Sequence, residues 1–477
     1  MGKISLRERI GYGFGDMASS MFWKLFGIYL LFFYTDVMGL PAATVGTLFL
    51  ITRIWDTLLD PVIGMIADRT TSKWGKFRPY LLYLAVPFGI MGLITFSVPG
   101  PGSSISLLLY VYITYSLMML VYSFINVPYA ALLGVISDDP KERNILASFR
   151  MGFAFAGSFI ALAVIEPLIS FKGGSTRMAM PENATAWQWA VGVIACLCVL
   201  LFFLCFAWVK ERVQPVRQQS ASLKTDLRDL IRNKPWYILV AAGMAVLIFN
   251  SIRDGAAMYY FRYYIQKNEA VQLGTIAINF STLYLVVGQV ANLIGVMLAF
   301  PLANRIGKKA CFSLAMGIAS VLSVLFYWLG QGDIELIFVL QLLISCCAGT
   351  VFPLLWSMYA DIADYSEWKT GRRATGLIFS SSSMSQKMGW TFGSALTAWL
   401  LAAFGFQANQ VQGELAQTGI RLMLSWLPAV GAVIALVMIY FYPLTDAQMN
   451  KIGKTLKERR SSVEDEKSGI QKTANES

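Results

Sequence analysis

Apolar runs of about twenty residues or more recur along the whole chain, each closed by a short cluster of charged or turn-forming residues. That length and punctuation predict membrane-spanning helices. Twelve are read: 11–36, 42–66, 80–99, 105–133, 147–170 and 187–209, then 237–264, 274–302, 310–329, 335–360, 374–404 and 420–442. Between the sixth and seventh lies a polar stretch, "KERVQPVRQQSASLKTDLRDLIRNKPW", with an amphipathic helix expected around Leu223–Ile231. The pattern divides the chain into a six-helix bundle over 1–209, a linker over 210–236, a second six-helix bundle over 237–442 and a charged tail over 443–477 expected to fray. The fold class is an all-α membrane protein.

The polar punctuation repeats. "GMIADRTTSKWGKFRPY" (Gly64–Tyr80) follows the second run and "PLANRIGKKACF" (Pro301–Phe312) follows the eighth, each with Asp or Asn, then Arg, then Gly-Lys. Two halves alike in this way, related by an axis along the membrane normal, are the twelve-helix arrangement of the major facilitator type, with two pseudo-symmetric halves. Lysine and arginine collect on one side: Arg69, Lys73, Lys76, Arg78, Lys141, Arg143, the linker, Arg305, Lys308, Lys309, Lys369, Arg372 and Arg373. The opposite loops hold only Lys172, Arg177 and Lys267. Both termini and the linker are therefore expected in the cytoplasm.

Composition agrees. The 477 residues are 56% hydrophobic and 14% charged, against roughly 25% charged in soluble chains. The net charge of +11 belongs to the loops, so nucleic acid is not an expected partner. All six cysteines lie inside apolar runs and read as small buried hydrophobes. With no histidine in the chain, histidine metal sites, triads and proton relays are excluded. The N-terminus, basic and then glycine-rich, does not read as a removable signal.

A charge at mid-membrane costs roughly 2.5–3.5 kcal/mol on insertion scales, so each one inside a run calls for a partner or a wet cavity. In "ITRIWDTLLDPVIG", Arg53, Asp56 and Asp60 fall on one helical face. One guanidinium against two carboxylates leaves a negative surplus suited to a monovalent cation or a proton; an inter-helix salt bridge is the plainer reading. Lys24, in the first run, follows Asp16 and Ser20 on a similar face, with snorkelling as its alternative. Tyr122, Ser123 and Asn126 lie in the fourth run, Arg150 in the fifth, Gln386 and Lys387 in the eleventh. Arg253 is expected to face the cavity and Arg262 the outer interface. Lys387 is the second cation to pair with Asp56 and Asp60. Aromatic residues in the cavity, Trp356 among the candidates, would stack on a sugar ring.

These motifs give the chain a likeness over nearly its whole length. "GYGFGD", "FFYTDVMGLP", "RIWDTLLDPVIGMIADRT" with "WGKFRP", "NVPYAALLGVISDDPKER", "ADIADYSEWKTGRRATG" and "FYPLT" resemble the glycoside–pentoside–hexuronide:cation symporters, the family of the melibiose permease. The resemblance implies a bacterial inner-membrane sugar transporter that couples to H+ or Na+ by alternating access, carries no cofactor and works as a monomer. It implies a cation site at Asp56 and Asp60 beside Arg53, Ser123 and Lys387. It implies a substrate pocket drawn from Ser20, Lys24, Tyr122, Asn126, Arg150, Arg253, Gln386 and Trp356. Asp68, Arg69, Asp361, Asp364, Glu367 and Arg372 match cytoplasmic gating loops, expected to latch that face by charged contacts.

The departures matter. The melibiose permease has acids where this chain has Ser20 and Asn126, and Lys24 and Arg253 add positive charge. A neutral glycoside or pentoside and an anionic sugar, a hexuronide or sulfonated sugar, both stay open. Leu59, apolar beside Asp60, favours a proton over sodium. The rival classes are a lipid or drug carrier on the same scaffold, a non-transporting sensor, and an intramembrane aspartyl hydrolase. The last is disfavoured because Asp56 and Asp60 share one helix with a cation beside them, which keeps both ionised rather than sharing a proton.

Overall fold

Twelve helices of spanning length follow the apolar runs in a computed structural model that describes residues 4–100, 104–137, 140–173, 184–212, 233–266, 270–273, 276–370, 375–456 and 458. They are α1 (Leu6–Val37), α2 (Ala42–Arg69), α3 (Arg78–Thr95), α4 (Ser104–Ile136), α5 (Pro140–Gly173) and α6 (Ala184–Trp208) in the first half. The second half holds α7 (Lys234–Ile265), α8 (Phe280–Ile306), α9 (Lys308–Trp328), α10 (Ile334–Thr370), α11 (Thr375–Ala403) and α12 (Glu414–Tyr440). Among the described residues eleven are long and apolar enough to cross a membrane. The exception is α11, which has 29 residues but carries a serine run, Gln386 and Lys387.

Several helices begin or end a few residues outside the expected spans, α5 at Pro140 and α12 at Glu414 among them, and three further differences concern local structure. Residues 276–279 do not begin α8. Ala270–Leu273 (β1) and Ile276–Asn279 (β2) pair antiparallel, with Val271 opposite Ile278. Two short β-prone runs around a Gly-Thr step carry hairpin signals, which the apolar count hid. Secondly, α10 runs on to Thr370, past the end of the apolar run, through the polar stretch "ADIADYSEWK". Thirdly, the chain beyond Pro443 is helical over 446–456, with Ile452 and Leu456 buried, so this part of the tail is docked rather than frayed. The helix expected around Leu223–Ile231 lies outside the described residues.

Each half has its own aromatic core. Phe22, Phe26, Phe88, Phe96 and Trp187 pack together in the first, and Tyr260, Phe261, Tyr284, Phe326 and Phe338 in the second. In lipid, small residues set how close helices come. Gly295 of α8 lies against the Cys346 carbonyl of α10, and Gly349 of α10 against Asn292 of α8, so a Cβ at either would meet backbone.

Between the halves, α2 packs on α11, α5 on α8, and α1 on α7. The second helix of one half thus meets the fifth of the other, twice, as exchange of equivalent halves requires. Two stretches of α1, Leu25–Tyr29 and Phe33–Val37, and one of α7, Tyr260–Ile265, are wound as π-helix. Both helices are the first of their half. Their π turns lie toward the end opposite the chain termini, called the far end; the other is the terminal end.

Candidate functional site

On α2, Ile51, Ile54, Leu58, Val62 and Met65 are exposed, while Thr52, Arg53, Asp56 and Ile63 are buried. The helical period turns the charged face inward, as a membrane demands. Asp56, 2% exposed, accepts a 2.6 Å hydrogen bond from the Ser123 hydroxyl of α4. Arg53 donates from Nε to the Tyr115 hydroxyl at 2.9 Å and lies over the Trp23 ring, 4.1 Å from its centroid. From the other half, Lys387 of α11 hydrogen-bonds Asp60, and its Nζ is 4.0 Å from Asp56 Oδ2. The structure therefore brings together Arg53, Asp56, Asp60, Ser123 and Lys387. The negative surplus of α2 alone is cancelled by a lysine of the second half. Asp60 Oδ1 is buried and has no hydrogen-bond partner among the described residues, so one carboxylate oxygen remains to take a proton or a small cation.

A second cluster lies beside it. Lys24 Nζ is 3.1 Å from Asp254 Oδ2 of α7, across the interface, and 5.9 Å from the centroid of Trp390, one turn along α11 from Lys387. Arg150 Nε bonds Asp16 Oδ2 at 2.8 Å. Ser20, between Asp16 and Lys24 on α1, is half-buried, as are Tyr122, Asn126, Gln386 and Trp356. Tyr122 packs against Trp23, and Asn126 turns its amide back to the Tyr122 carbonyl. Trp356 packs on Tyr359.

Arg253 is not in this cluster. It is 4% exposed and faces the interior of its own half. There it donates to Leu424 O at 2.5 Å, Ser323 Oγ at 3.2 Å, Tyr284 Oη at 2.8 Å and Gln341 Oε1 at 2.9 Å. The cause lies in α12. Leu424 O would normally accept from residue 428, but that residue is proline and has no N–H, and the helix breaks at Ser425. Arg253 supplies the missing donor. Sequence reasoning placed it in the cavity because its helix was right and its face was not.

The gating residues also stand differently. Lys308 bonds both oxygens of Asp361, at 2.9 and 2.7 Å, within the second half. Glu8 holds Arg212, Arg9 holds Glu142, and Glu211 takes the backbone N–H groups of Lys76, Phe77 and Arg78, all within the first half. Asp361, expected in a charged latch on that face, is paired here with Lys308 of its own half. Arg69 is exposed; Asp364 and Glu367 are half-buried. The Asp68 side chain and Arg372 lie outside the described residues.

Among the described residues, a set of cross-half bonds lies at the far end. Asp36, fully buried, accepts from the Tyr263 hydroxyl, with Arg262 at 3.9 Å. Thr35 meets Tyr259 at 2.9 Å, Tyr29 meets Thr282 at 3.1 Å, and Glu166 accepts from the backbone and side chain of Asn279 at 2.9 and 2.5 Å. Asn409 donates to the Asp36 carbonyl at 2.7 Å. Sequence reasoning missed this set apart from Arg262, together with Trp23 and Tyr115, and named Asp254 in the seventh run without giving it a role. For Glu166 the signal was present, since it is a lone acid within its apolar run.

A family model described as "MFS/sugar transport protein" matches residues 11–446. The inner membrane symporter YicJ of Escherichia coli (strain K12) is 34% identical over 95% of each chain. The isoprimeverose transporter of Lactiplantibacillus pentosus is 33% identical over 91% of this chain and 88% of its own. Among solved structures, a bacterial homologue of the human lysosomal transporter Spinster superposes with a TM-score of 0.65 at 13% identity, covering 94% of this chain and 97% of that one. That likeness concerns the fold.

Proposed function

The chain belongs to the MFS/sugar transport protein family and is a multi-pass membrane transporter, and from that premise we propose that it is a secondary active symporter that moves a sugar together with a proton or another monovalent cation. The observation that carries this reading is Lys387 on Asp60. A lysine of the second half fills, in place of a free ion, a site whose acids belong to the first. A proton or cation arriving at Asp56 and Asp60 competes with that ammonium. It takes up the unpartnered Asp60 oxygen and releases the contact between α2 and α11. Ion occupancy is thereby tied to how the halves sit, which is what alternating access requires, and each ligand tightens the other through the state both favour.

The sugar lies between the halves, bounded by α1, α4, α7 and α11. Lys24, Asp254, Ser20, Gln386 and the indoles of Trp23 and Trp390 supply hydrogen bonds and an aromatic face. With the termini in the cytoplasm, as the lysine and arginine bias predicts, the far-end bonds would close the cavity on its outer side. The relatives named as a symporter and as a transporter of isoprimeverose support the class.

The test is uptake into proteoliposomes under an imposed sodium or pH gradient. Asp60→Asn is expected to reduce gradient-driven accumulation by at least about tenfold while sugar exchange without a gradient persists. Accumulation at the wild-type level in both Asp56→Asn and Asp60→Asn would sink the assignment.

A further inference from the structure

In the middle of the interface, three cations have a carboxylate in direct contact. Lys24 is held by Asp254, Arg150 by Asp16 and Lys387 by Asp60. Arg53, on the same helix face as Asp56, spends its guanidinium on Tyr115 and the face of Trp23. Arg253, the remaining positive charge that pointed to an anionic ligand, is buried in the second half. Four cations of this region are thus balanced by four carboxylates.

We infer that Asp254 is a specificity-determining residue: by holding Lys24 in an ion pair across the halves it sets the cavity for an uncharged polyhydroxylated sugar and against a sugar acid. This deepens the sugar-transport reading above and rests on it. The pair is reachable, with 16% of the Lys24 and 23% of the Asp254 side chain exposed. It lies beside Trp390, whose ring offers a stacking face. A neutral sugar accepts from the ammonium and donates to the carboxylate through its hydroxyls, and the ion pair stays whole. A uronate or sulfonate must instead pull Lys24 away and then lie next to a carboxylate left without its partner. Burying a charge without compensation is costly, and like charges side by side discriminate strongly between ligands. Rejection of the wrong ligand is therefore built from a residue that also binds the right one. Because the two partners come from α1 and α7, the sugar that bridges them contacts both halves at once.

The experiment measures binding of matched ligands to the purified full-length protein: methyl pyranosides of glucose, galactose and xylose, and the uronates of the first two. Wild type is expected to prefer the neutral member of a matched pair by about tenfold or more. Asp254→Asn frees Lys24 and is expected to shift that ratio toward the uronate by about tenfold. Lys24→Gln, which leaves Asp254 alone, is expected to move it the opposite way, and the double variant to return it near the wild-type value. A wild type that prefers the uronate overturns the inference, as does a ratio unmoved in folded Asp254→Asn or, should that variant not fold, in Lys24→Gln. If wild type binds none of the five ligands, the sugar-transport reading itself fails. Binding with an unmoved ratio leaves that reading standing and removes only the role of Asp254.

Discussion

At the far end Asp36, Glu166 and Tyr29 reach across to Tyr263, Asn279 and Thr282 of the other half. At the terminal end Arg9, Arg212 and Lys308 meet Glu142, Glu8 and Asp361 without leaving their own half. The two sets are similar in chemistry and opposite in consequence. Bonds inside a half hold its helices as one rigid unit whichever way it leans. Bonds between halves exist only while that end is shut. In membranes, side-chain hydrogen bonds contribute about 0.6 kcal/mol each on average, so the far-end set is worth a few kcal/mol. That suffices to favour one arrangement and is small enough for ligand binding to reverse.

The comparison breaks most severely if the far end cannot close. Gly46 of α2 lies so near α11 that a Cβ there would be 2.9 Å from Ala398 Cβ and 3.0 Å from the Ala395 carbonyl. Gly46→Leu overpacks this contact and is expected to reduce transport about a hundredfold. The carrier should then be trapped open at the far end. A cysteine placed at Ser20, in a background lacking the six native cysteines, should label faster with an impermeant maleimide added from that side. Unchanged labelling would show that α2 and α11 do not form the seal.

A milder cut is Tyr263→Phe, which removes the donor to Asp36 and the acceptor for the Asn409 backbone N–H. Loss of these two hydrogen bonds, each of about 0.5–1.5 kcal/mol, should raise the same labelling rate by a few-fold or more. The smallest effect is expected at the terminal end. Lys308→Gln should leave the labelling ratio within about twofold of wild type and lower thermal stability by no more than about 1 kcal/mol. A large change in the ratio would mean that the Lys308–Asp361 pair reports on the state after all.

The twelve helices were legible because lipid enforces long apolar runs, and the inward face of α2 because Arg53, Asp56 and Asp60 recur at helical spacing. Lys387 was named as their partner from charge balance and again from family likeness, since no local pattern links residues 60 and 387. Arg253 was misread for a physical reason: its partner is the carbonyl orphaned by Pro428, and nothing in the sequence of α7 says which neighbour packs there. Asp254 was overshadowed by Arg253 beside it. Asp36, Tyr263 and Glu166 were passed over because aromatic and acidic residues near helix ends fit the water interface equally well. Only the docking of the halves makes them a seal.

The π-wound stretches of α1 and α7 give that seal a mechanical property. A π turn is an α-helix with one residue too many, threaded into the same screw. Expelling that residue would restore ordinary pitch and turn everything beyond it by about 100°. Asp36 lies within the last such stretch of α1, and Tyr263 within that of α7. A single notch of unwinding in either helix would rotate its half of the contact out of line, so the far end can disengage by a click rather than by dragging two whole helices apart.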